Sequence, residues 1–132
     1  MNNKPNKLIL EWFKQADYDL ATAKVMFKSR RYIYTVFMCH LSIEKALKGL
    51  YGKILTNEPP KIHDLINLLD KIQLAVPLEL KDFIGQINQM SIVTRYPDNL
   101  SNLQKVLSHK TAYNILTHTN EVLKWLKKEL NK

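Results

Sequence analysis

The segment LILEWFKQADYDLATAKVMF, residues 8–27, decides the fold class. Ile9, Phe13, Ala16, Leu20, Ala23 and Phe27 recur at steps of three or four, while Glu11, Lys14, Asp17 and Lys24 fall off that stripe. A period near 3.6 with charge on the opposite side marks an amphipathic helix that buries one face. Asn6 suits the N-cap, and Pro5 before it fixes the entry of the chain. Strand-type alternation is scarce, and three glycines in 132 residues leave little material for hairpin turns.

The same period continues outward. A second helix is expected over about residues 32–55, with Val36, Ile43, Leu47, Leu50 and Ile54 on its buried side and the turn within KSRRY, residues 28–32. TNEPP, residues 56–60, stops it, because two prolines remove donors and bias the preceding residues away from helix. A short third helix begins near KIHDLINLLDKI, residues 61–72, with Leu65, Leu68, Leu69 and Ile72 inward. Pro77 suits the first turn of a fourth, which carries Leu80, Phe83, Ile84, Ile87 and Met90. RYPDN, residues 95–99, interrupts again, and residues 98–107 read as a loop or single turn. The last helix, capped by Ser108, presents Tyr113, Leu116, Val122, Leu123, Leu126 and Leu130. Short connections between amphipathic helices predict one all-α domain over residues 1–132, an antiparallel up-and-down bundle of four to five helices.

Composition restricts the function classes. Apolar residues are 45% and charged residues 24% of the chain, as in ordinary globular domains. No stretch approaches the roughly 20 apolar residues of a membrane span, and MNNKPNK at the start lacks the apolar core of a signal peptide, so a cytoplasmic address without membrane contact is expected. The lone Cys39 cannot close an internal disulfide and reads as a small buried hydrophobe. Twenty Lys and Arg against 12 Asp and Glu give a charge of +8, which attracts nucleotides, nucleic acid or an acidic partner. There is no glycine-rich phosphate loop and no G-x-S-x-G elbow. His40, His63, His109 and His118 are dispersed without HExxH or cysteine pairs, so no metal and no cofactor is expected.

The chemistry-bearing residues gather near helix starts and interruptions. In CHLSIEKALKGL, residues 39–50, His40, Glu44 and Lys48 share one helical face, with Lys45 about 100° aside. That face is either a site or a solvated stripe, in which Glu44 and Lys48 contribute about 0.2–0.5 kcal/mol as an ordinary helix pair. Asp64, beside His63 and after two prolines, can assist a helix start, and Arg95 precedes Tyr96 and Pro97.

Taken in order, DYDLATA, CHLSIEKALKGL, HDL and RYP resemble the signature of the HEPN domain family over about residues 8–130. Asp19, Leu20 and Ala23 match its first helix; Glu44, Lys45, Ala46, Leu47 and Lys48 match its EKALK core; His63, Asp64 and Leu65 match HDL; Arg95, Tyr96 and Pro97 match RYP. The resemblance implies a homodimer with a charged cleft, often encoded beside a minimal nucleotidyltransferase as toxin and antitoxin. It implies a nucleotide- or RNA-binding site formed by Glu44, Lys45, Lys48, His63, Asp64, Arg95 and Tyr96. The alternative is a metal-independent endoribonuclease toxin, whose members carry Arg followed four to six residues later by His. Here the next histidine after Arg95 is His109, fourteen positions on. An arginine without that histidine lacks the base that takes the 2′-hydroxyl proton, so enzymatic activity is left open, with Arg95, His109 and His63 as the catalytic candidates. Trp12 and Trp125 are expected on the outside, available to pair two copies.

Overall fold

The computed structural model describes residues 6–93 and 100–132. Among the described residues six helices form: α1 Lys7–Lys28, α2 Tyr32–Leu55, α3 Leu65–Ile72, α4 Leu78–Val93, α5 Leu100–Val106 and α6 His109–Leu130. Three of the starts follow side chains that can accept from free N–H groups, whereas α2 begins after Arg31 without one. Asn6 accepts from Ile9 N at 2.9 Å, Asp64 from Asn67 N at 3.0 Å and Ser108 from Thr111 N at 3.2 Å. Pro77 lies just before α4, its carbonyl accepting from Lys81 N at 2.9 Å. The third helix therefore begins at Leu65 rather than near Lys61, because its cap is Asp64.

Two of the ends use left-handed residues that are not glycine, Thr56 after α2 and Gln73 after α3, both with φ 55°. The α1–α2 turn does the same through Arg30, at φ 60°. This explains why neither Gly nor Pro marks that turn in the sequence.

The four long helices form the expected up-and-down bundle. The short α1–α2 turn makes these two antiparallel, and Ser42 Oγ donates to Ala16 O at 2.7 Å across their buried interface. They come so close that a Cβ at Gly49 would lie 2.8 Å from Phe13 Cε2. Helix α6 runs parallel to α2: the Tyr32 hydroxyl is 3.0 Å from His109 Nδ1 at one end, and Lys53 Nζ donates to Leu130 O at the other. Helix α4 opposes α6, since Phe83 stacks on His118 while Met90 lies beside Val106, just ahead of the start of α6.

Helix α2 touches every other described helix and is buried along most of its length. Val36, Cys39, Ile43, Ala46, Leu47 and Leu50 have no exposed surface. The stripe of α1 is inward as expected, although Phe27 is only partly covered. Ile54 departs from the expectation at 44% exposed, since burial needs a facing helix as well as the right phase. Tyr113 also departs, at 55% exposed. Helix α6 buries Ala112, Ile115, Thr119, Val122 and Leu126, a stripe that passes through polar Thr119 and so disguises its phase. Helix α5 takes the place of the expected loop or single turn, because Leu103 and Leu107, one helical step apart, both reach the core. Trp12 and Trp125 are both partly buried rather than outside, and Trp125 packs against the core. Among the described residues no helix is long and apolar enough to cross a membrane.

Candidate functional site

The face of α2 that carries His40, Glu44 and Lys48 is not a solvated stripe. These three residues are 3%, 3% and 7% exposed. Helix α2 is enclosed by its neighbours, so polar groups on this face must find partners inside the protein. Glu44 is the hub. Its Oε2 accepts from Lys48 Nζ at 3.1 Å, and both carboxylate oxygens lie 3.1 Å from His63 Nδ1. His40 Nδ1 stands 3.9 Å from Glu44 Oε1.

A carboxylate beside an ammonium accepts hydrogen bonds only, so the His63 nitrogen facing it must be the donor. Neutral His63 thus keeps its lone pair on Nε2. The ring is 61% exposed, so that nitrogen belongs to a side chain anchored at one edge and open to solvent elsewhere. The same anchoring holds a lysine with further N–H groups beside it.

Asp64 joins this cluster indirectly. Besides capping α3, it accepts from Asn88 Nδ2 at 3.3 Å. Asn88 Oδ1 in turn accepts from Leu65 N at 3.0 Å and lies 3.3 Å from His40 Nε2. Asn88 therefore ties α4 to α2 and to the start of α3. It was absent from the sequence-derived set, yet a signal existed: Ile84, Ile87, Asn88 and Ser91 share one stripe, and polar residues on a buried stripe imply a hydrogen-bond network.

Lys45 is not drawn into the cluster. Its Nζ is 2.9 Å from Asp19 Oδ2, a buried carboxylate on α1, so it joins the first two helices instead. His109 lies elsewhere again, with Tyr32 and against Phe27 at the far end of α2. Twelve residues of helix separate Tyr32 from Glu44, about 18 Å. Arg95 and Tyr96 lie outside the described residues. Cys39 is fully buried and hydrogen-bonded to Thr119; burial pushes its thiol up to about 12, which leaves it without nucleophilic character near neutral pH. Among the described residues no three His, Cys, Asp or Glu side chains gather to hold a metal ion.

The model of the HEPN domain matches residues 9–130. No curated protein matches the chain. Among solved structures, TT1696 from Thermus thermophilus superposes with a TM-score of 0.77 at 22% identity, covering 91% of this chain and 96% of that one. ST0689, described as an archaeal HEPN homologue, superposes with a TM-score of 0.72 at 19% identity, covering 92% of this chain and 97% of its own. At those identities the likeness concerns the fold.

Proposed function

Because the chain belongs to the HEPN domain family, we propose that it is a nucleotide- or RNA-binding module whose anion site is built on Glu44. The observation that carries this reading is the buried Glu44 carboxylate holding Lys48 Nζ and His63 Nδ1 together at 3.1 Å. Arg95 and Tyr96 complete the site in this reading, the guanidinium meeting phosphate and the phenol meeting a base or sugar. Lys45 supports the α1–α2 pairing through Asp19 and contributes to the positive field. The module works as a homodimer in the cytoplasm, beside a minimal nucleotidyltransferase partner in a toxin-antitoxin pair.

One observation favours a second reading, an endoribonuclease. A carboxylate that fixes one imidazole nitrogen and leaves the other open is how a general base is oriented. His63, not the distant His109, is the base in that reading.

Calorimetric titration with a nucleotide panel and with single-stranded RNA tests both. Binding weakens with rising salt, and Arg95→Ala and His63→Ala each lose it while the helical dichroism is unchanged. RNA cleavage abolished by His63→Ala selects the second reading. Arg95→Ala that binds as tightly as the parent refutes the site. Light scattering at twice 15.5 kDa, and co-purification with the product of an adjacent nucleotidyltransferase gene, test the assembly.

A further inference from the structure

A groove of about 610 Å³ opens between the start of α1, the end of α2 and residues 56–59. Asn6, Ile9, Trp12, Gly52, Thr56 and Asn57 are among its lining residues. That volume lies within the range of small-molecule sites. Trp12 joins the groove to the Glu44 cluster, because Lys48 Nζ is 6.0 Å from the indole centroid while it bonds Glu44 Oε2 at 3.1 Å. One ammonium therefore faces both the carboxylate hub and the ring. The indole is also positioned: a Cβ at Gly49 would lie 3.1 Å from Trp12 Cβ, so the absence of one lets α1 sit close against α2 at this point. Trp125 differs, being packed against the core.

We propose, building on the nucleotide reading above, that this groove is the base pocket of the same site. The nucleobase stacks on Trp12, its phosphate turns toward Lys48, and its ribose hydroxyls turn toward the open Nε2 of His63. A planar heterocycle linked to an anion matches an indole beside an ammonium, and the stacking is tolerant of base identity because every base has a π-face. Asn6 and Asn57 are among the lining residues, and a side-chain amide is a group that can bond base edges. Asn6 uses its oxygen on Ile9 N, so its amide N–H groups are what it offers.

The four nucleoside monophosphates and ribose 5-phosphate, titrated against the parent, Trp12→Leu, Trp12→Phe and Trp125→Phe, test the proposal by calorimetry and tryptophan fluorescence. Nucleotides quench emission in the parent and in Trp125→Phe but not in Trp12→Phe, which retains affinity. Trp12→Leu weakens nucleotide binding about tenfold and leaves ribose 5-phosphate unaffected. Nucleotide binding by the parent with an unchanged affinity in Trp12→Leu overturns the base pocket and leaves the anion site standing. Parent protein that binds neither nucleotide nor ribose 5-phosphate overturns both. Should Trp12→Leu fail to fold by circular dichroism, the quenching comparison between Trp12→Phe and Trp125→Phe decides: quenching that persists without Trp12 refutes the pocket.

Discussion

Glu44 is 3% exposed and faces three groups that carry or can carry positive charge. Deleting the carboxylate leaves Lys48 buried without a counter-ion, a loss of about 3 kcal/mol or more when one member of such a pair is removed. Glu44→Ala is therefore expected to lower unfolding stability by about that amount in urea. Combining it with Lys48→Met should cost less than the sum of the two single changes, since the stranded charge is gone. Cys39 gives a pH signature. Its thiol ordinarily titrates near 9.0 and burial raises it to about 12. Across that window the unfolded chain has lost the proton and the folded chain keeps it, so stability is full below pH 9 and falls as pH rises toward 12, by up to about 1.4 kcal/mol per unit. Cys39→Ala should flatten that slope in urea unfolding measured at successive pH values. The sequence revealed that His40, Glu44 and Lys48 share a face, because helical spacing alone fixes that. It could not reveal that the face is enclosed, nor that Lys45 turns to Asp19, because both depend on which helix stands opposite.

Helix starts were legible because their caps are local. Asn6 and Ser108 are read from the residues themselves, and Asp64 nearly so. Helix ends were less so, since Arg30, Thr56 and Gln73 adopt left-handed backbone without the glycine that would announce it. Thr56 is the least suited of these, a β-branched residue at φ 55° whose hydroxyl bonds Leu55 O within the same turn. Thr56→Gly should raise stability by about 1 kcal/mol by relieving that conformation. A thermal melt that shifts downward would show that the Thr56 side chain contributes more than the strain removes. Helix α5 escaped the sequence reading for a different reason: Leu100, Leu103, Val106 and Leu107 have helical spacing, but a stretch of two turns is too short to establish a period, and only Leu103 and Leu107 are buried.

At the scale of the whole molecule, the bundle is built unevenly around α2. Helices α1 and α6 flank it along most of their 22 residues, whereas α3 has eight and α5 seven. The up-and-down order of the long helices was legible from short connections and phase. The parallel contact of α2 with α6 was not, because it joins residues 77 positions apart. Native-state hydrogen exchange should be slowest in α2 and fastest in α3 and α5, through openings that leave the long helices paired. Asn88 bears on those openings, because its amide is where α4 grips both His40 and the start of α3. His63 lies two residues before α3, so this part of the proposed site adjoins the segment that Asn88 fastens. The anchored arrangement is then one member of a population, and apparent affinity scales with its fraction. A chain in which Asn88 is replaced by alanine and the anchored fraction falls about tenfold would bind its ligand about tenfold more weakly without losing a single atom that touches it. The sign would be faster amide exchange in α3, with protection in α1 largely retained.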